Sequence, residues 1–80
     1  MDRFELLRTE RWQGEVHIYR DRVTGQHYAA SRADTFDHGD ETLVFVYDEA
    51  QRKVADWREV AGGTRMSHAE AMQRLADRLT

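Results

Sequence analysis

The six residues Asp21-Arg22-Val23-Thr24-Gly25-Gln26 constrain this chain more than any other stretch. An Asp whose carboxylate can bond the turn backbone, followed by a Gly able to take a positive φ, marks a four-residue reversal. Its flanks, Glu15-Val16-His17-Ile18-Tyr19-Arg20 and His27-Tyr28-Ala29-Ala30-Ser31, are then antiparallel neighbours. If Asp21 pairs with Gln26, Tyr19 faces Tyr28, His17 faces Ala30 and Arg20 faces His27. His17 and His27 therefore belong to opposite sheet faces.

A strand before this pair follows from Phe4, Leu6 and Trp12, which share one parity with Leu7 on the other, and from Gln13-Gly14 as a two-residue turn. After it, residues 34–41 (DTFDHGDE) carry four carboxylates and a Gly without periodicity, and read as the longest loop. Leu43-Val44-Phe45-Val46-Tyr47 is apolar without alternation, as in a strand buried on both faces or at a subunit interface. A mid-sheet position is the expectation. Residues 48–61 support two readings. Asp48 and Gln51 resemble a helix cap, with Ala50, Val54, Trp57 and Ala61 at helical spacing. Alternatively, Glu49-Ala50-Gln51-Arg52 is a turn, and 53–58 returns along the apolar strand with Trp57 near Val44. The hairpin is preferred because a strand buried on two sides needs a neighbour. Gly62-Gly63 ends the element in either reading.

Ser67 with Glu70 forms a capping box, and Ala69, Met72, Leu75, Ala76 and Leu79 make one apolar stripe, predicting a helix over 67–79. The expected fold is therefore α+β: an antiparallel meander of four to five strands over 3–59, packed against one C-terminal helix. Eighty residues make a single domain, 1–80, burying only about 60% of the surface exposed by the unfolded chain. With no Cys there is neither a disulfide nor a thiolate metal site to reinforce that core. The charged Met1-Asp2-Arg3-Phe4-Glu5 start predicts no signal peptide, and no apolar run has the length of a membrane span, so a cytoplasmic protein is expected.

Several kinds of chemistry find little support in the residue pattern. The four histidines, His17, His27, His38 and His68, show no helical or cross-strand ligand spacing, so no metal or other cofactor is expected. Asp34, Asp37, Asp40 and Glu41 do not follow calcium-loop spacing and read as a solvated acidic loop. Ser31, Ser67, Thr24 and Thr42 sit in no nucleophile motif, and Gly62-Gly63 is no phosphate loop, so a non-enzymatic chain is expected.

The net charge of −3 lacks the basic excess of general nucleic-acid binders. The expectation is a protein-binding module, with Leu43, Phe45 and Tyr47 as contact residues and Asp37, Asp40 and Glu41 as electrostatic helpers. Two alternatives stand beside it. One is a nucleic-acid-binding regulator using Tyr19, Tyr28, Trp12 and Arg8 as a stacking face that also holds His17. The other is a homodimer burying strand 43–47.

Eleven of the twelve basic residues are Arg, Asn is absent and Ile18 is the sole isoleucine, which points to a GC-rich genome. Arg3-Phe4, Gly14, Ile18-Tyr19, Asp21, Thr24-Gly25 and Tyr28 together resemble a class of short bacterial and phage β-domains that open on Arg-Phe and carry an Asp-x-x-Thr-Gly-x-x-Tyr hairpin. The likeness covers the first third of the chain, and no Gly-rich segment follows residue 31 as it does in that class. It implies a β-hairpin start and a bacterial or phage origin, and no activity. By elimination of catalytic, metal and phosphate motifs, the protein-binding module is expected to be a phage or mobile-element accessory protein acting on a host protein.

Overall fold

Five strands in simple up-and-down order form one antiparallel sheet, β1 (Phe4–Arg11), β2 (Gly14–Asp21), β3 (His27–Thr35), β4 (Gly39–Asp48) and β5 (Lys53–Thr64), followed by helix α1 (His68–Leu79). This computed structural model describes residues 3–35 and 39–80, with the backbone alone for 33–35 and 39–40. The fold is the expected α+β meander, with all five strands present. No helix among the described residues is long and apolar enough to cross a membrane.

The β2–β3 register is the one expected, with Tyr19 opposite Tyr28, His17 opposite Ala30 and Arg20 opposite His27. Asp21 holds the turn: its carboxylate accepts from the Val23 amide at 2.8 Å and the Thr24 amide at 3.4 Å, while Gly25 takes φ +81°. Arg3 adds a two-pronged contact to the same carboxylate, at 3.1 and 3.0 Å, tying the start of β1 to the end of β2.

β1 departs from its expected parity. The register slips between Leu6 and Arg8, so that Arg8 lies opposite Ile18 where strict alternation would place Leu7. This bulge sends Arg8 and Glu10 to the face opposite Phe4. The first turn is also one residue earlier than expected, at Trp12-Gln13, because Arg11 pairs with Glu15 and Gly14 already belongs to β2.

The acidic stretch is shorter as a loop than anticipated. Asp34 pairs with Asp40 and Thr35 with Gly39, extending the β3–β4 ladder into it. A ladder is made by backbone groups, so a run without side-chain periodicity can still be strand.

Residues 48–61 form the hairpin, not a helix. Asp48 does bond the Gln51 amide, at 3.0 Å, but the bond closes the Glu49–Arg52 turn, whose last residue has φ +55°. The same Asp side-chain bond serves turns and helix caps, so local sequence could not separate them. β5 then runs through Gly62-Gly63 to Thr64 instead of stopping there. It is irregular: Val46 faces Asp56 and Val44 faces Ala61, leaving 57–60 opposite Phe45. Trp57 accordingly lies against Phe45, at 5.2 Å between ring centroids, and not beside Val44.

Two apolar clusters sit on the two faces of the sheet. On the first, Phe4, Tyr19, Tyr28, Ala30, Val44 and Ala61 meet Ala71, Met72, Leu75 and Ala76 of α1. Fully burying a side chain such as Met72 or Leu75 contributes about 1.5–3 kcal/mol, which makes this stripe the main anchor of the helix. The buried stripe is rotated from the expected one, with Ala71 and His68 inside and Ala69 and Leu79 exposed. Arg74 and Arg78 donate to the Gly62 and Val60 carbonyls of the irregular edge strand, at 3.2 and 2.7 Å. The Ser67 hydroxyl caps α1 by accepting from the Glu70 amide at 3.1 Å. Ser67→Ala is expected to cost about 1 kcal/mol in urea unfolding without altering the folded spectrum.

Candidate binding site

The second face carries Val16, Ile18, Ala29, Phe45, Tyr47 and Val54, with Leu43 half-buried beside them. No helix among the described residues covers it. Its residues are nevertheless buried, and the side chains of Arg8 and Trp12 reach Tyr47 of β4 across two intervening strands, as the coil of a twisted sheet allows. Arg8, turned to this face by the bulge, donates to Glu10 at 2.7 Å and to Glu49 at 2.8 Å, and its guanidinium lies 5.9 Å from the centre of the Tyr47 ring. The Trp12 indole N–H and the Arg8 guanidinium together hold the Glu10 carboxyl below the usual carboxylate range.

Two tryptophans frame the open end of this face. Trp12, in the β1–β2 turn, stacks on Tyr47 with centroids 6.3 Å apart and donates its indole N–H to Glu10 at 3.1 Å. Trp57, on the bulged part of β5, stands edge-on to Phe45 and is 70% exposed. Between them lies a cleft of about 480 Å³ lined by Trp12, Gln13, Ser31, Arg52, Lys53, Val54 and Trp57. Among the described residues the lining holds two cations and no carboxylate. An exposed tryptophan beside an apolar cleft is the kind of surface that anchors partners.

The structure sorts the sequence candidates. Phe45 and Tyr47 lie under the tryptophans as buried support, 8% and 2% exposed, with Leu43 on the same face. Tyr19 and Tyr28 are buried beneath α1, while Trp12 and Arg8 lie on the opposite face. The stacking face expected to unite these four residues with His17 is thus divided by the β1 bulge. Glu41 is half-buried in β4 and lies outside the cleft. Asp40 is placed by backbone only, and Asp37 lies outside the described residues. Trp57, Arg52 and Lys53 were not singled out as binding residues from sequence. The signal available for Trp57 was a large aromatic within a charged segment, Lys53 to Glu59, that could not all be core.

On the helix side, packing brings together two histidines between which the sequence shows no ligand spacing, His17 and His68. Their rings stack at 3.7 Å with 9° between planes. Sequence spacing could not reveal this, since 51 positions separate them and only the packing of α1 on the sheet joins them. The hydroxyls surveyed as nucleophiles have structural partners: Ser67 caps α1, Thr24 accepts from the Gln26 amide at 3.2 Å, and buried Thr42 donates to the Met66 carbonyl. Ser31 lines the cleft.

No protein family, no curated protein and no solved structure matches the chain.

Proposed function

We propose that this protein is a small non-enzymatic protein-binding module whose contact surface is the Trp12–Trp57 cleft. The observation that carries this reading is Trp57 itself, a large apolar side chain 70% exposed on a bulged edge strand, braced by Phe45 and facing a second tryptophan. The partner is an extended protein segment that inserts an aromatic or leucine side chain between the tryptophans. Acidic neighbours in that segment face Arg52 and Lys53. Two cations at one cleft do not make the run of phosphate contacts on which nucleic-acid affinity rests, and net charge −3 opposes such a ligand at longer range. The same reading takes in a cytoplasmic setting and a phage or mobile-element accessory role toward a host protein, with composition pointing to a GC-rich genome.

The test uses a peptide array with one aromatic or leucine anchor flanked by Asp and Glu, beside arrays with the anchor changed to Ala or the flanks to Lys. Hits are titrated by tryptophan fluorescence. Binding should require both anchor and acidic flanks, and should weaken at least about tenfold in Trp57→Ala and measurably in Lys53→Glu. Indifference to Trp57→Ala or preference for Lys flanks would overturn the assignment. Tighter binding of a single-stranded oligonucleotide, quenched in a salt-dependent way, would favour the nucleic-acid alternative. A doubled mass in light scattering, abolished by Trp57→Ala, would show that the cleft is filled by a second copy.

A further inference from the structure

We propose that Glu15, His17 and His68 form a binding site for a divalent transition-metal ion of the zinc type. The site is separate from the cleft and does not depend on the function assigned to it. Each of the three residues offers one ligand atom, and these atoms lie within 4.8 Å of one another. Two come from alternate positions of β2, which point to one face of the strand, and the third from the first turn of α1, docked above it. Two imidazoles and a carboxylate suit zinc and its neighbours in the first transition row, and suit magnesium or calcium poorly.

Two of the surrounding hydrogen bonds are of the kind that orient metal-bound imidazoles: His68 Nε2 lies 2.9 Å from the Glu15 carbonyl oxygen, which leaves Nδ1 for the ion, and His17 Nδ1 lies 3.4 Å from the Tyr19 hydroxyl, which leaves Nε2. The third, between His17 Nε2 and the Glu15 carboxylate at 2.9 Å, joins two of the ligands and gives way to the ion.

A polar recess of about 320 Å³, lined by Arg11, Glu15, Arg32 and His68, adjoins the three residues, and an ion held by three side chains in a tetrahedral site would take water or a small anion as its fourth ligand. The stacked rings set one condition. A metal ion lies close to the plane of each imidazole it binds, and two nearly parallel planes cannot share it. Binding must therefore turn at least one ring out of the stack. Glu15, with a side chain 58% exposed, is free to follow.

The experiment titrates the untagged full chain with zinc chloride near pH 7.5, followed by calorimetry and by two-dimensional NMR of the histidine ring nitrogens. One saturable equivalent is expected, with resonance changes confined to His17 and His68, and with affinity falling as protons compete toward pH 6. Magnesium should give no saturable signal. Glu15→Gln, which changes an exposed side chain, and His17→Ala should each weaken zinc binding tenfold or more, whereas His27→Ala should leave it unchanged. Should His17→Ala not fold, Glu15→Gln carries the test. Absence of saturable binding, equal loss in His27→Ala, or ring shifts that bypass His17 and His68 would each overturn the site. None of these outcomes bears on the peptide measurements at the cleft.

Discussion

Gly62→Ala is expected to destabilise the domain by about 3 kcal/mol or more, appearing as a large drop in the urea midpoint with little change in slope. Gly62 sits within β5 opposite Leu43 at φ +147°, a conformation that side-chain-bearing residues rarely adopt. A Cβ there would collide with the Thr42 carbonyl oxygen and lie 3.1 Å from Leu43 Cα and 3.2 Å from its Cδ2. The Thr42 and Leu43 backbone atoms of β4 cannot yield without breaking the β4–β5 ladder. The neighbouring Gly63 supplies the control. A Cβ at that position meets only the mobile ends of Met66 and Arg74, at 2.8 and 3.3 Å for the nearest atoms, and these can swing aside. Gly63→Ala should cost about 1 kcal/mol. Equal losses at the two positions would show that β5 does not approach β4 as closely as described.

Asp21→Asn should cost about 2–3 kcal/mol at neutral pH, and the loss should be pH-dependent. Burial alone would push the Asp21 carboxyl up. The Arg3 guanidinium and the Val23 and Thr24 amides outweigh it and bring the group down to about 2, from an ordinary value of 3.8. A carboxylate with a depressed folded-state pKa contributes its full stabilisation above the unfolded value and loses it as pH falls through the folded one. The wild-type advantage over Asp21→Asn should therefore be constant above about pH 5 and shrink steadily from about pH 4 to pH 2. An advantage that stayed level across that window would mean that the charge on Asp21 is not what holds the turn.

The effects at Gly62 and Asp21 differ in how readily their causes can be read from the chain. Asp21 and Gly25 announce the central hairpin because the interactions that close it lie within six residues, and the facing pairs Tyr19–Tyr28 and His17–Ala30 follow from that turn by counting. Gly62 looked like a terminator because a Gly pair ends many elements. Its actual role, to let two backbones approach within a sheet, depends on a strand nearly 20 positions earlier in the chain. Asp48 shows the same limit at short range, since its bond to the Gln51 amide is common to a turn and to a helix start.

The candidate sites were less legible than the fold. Phe45 and Tyr47 were rightly noticed as apolar, but their place beneath Trp57 and Trp12 arises from the coil of the sheet and from bulges in β1 and β5. A bulge is one or more extra residues in a ladder, and neither hydropathy nor charge marks it. The slip between Leu6 and Arg8 is enough to move Arg8 and Glu10 across the sheet, and with it the tyrosines and the tryptophan expected on one surface part company.

By itself the sequence left residues 48–61 open between a helix and a hairpin, but determined the first four strands, the central register, the capped C-terminal helix and the two-layer architecture. Each of these follows from interactions among near neighbours in the chain or from the alternation of apolar side chains, which act before any long-range contact forms. The tertiary structure alone decided which faces those strands present after their bulges, how far the sheet coils, and which distant side chains meet. His17 and His68 stack because α1 lies across the sheet at one particular place, and Trp12 and Trp57 frame one cleft because the sheet curls between them. Such meetings are set by the packing of whole surfaces, whose free energy is shared among many contacts and is written in no single stretch of residues.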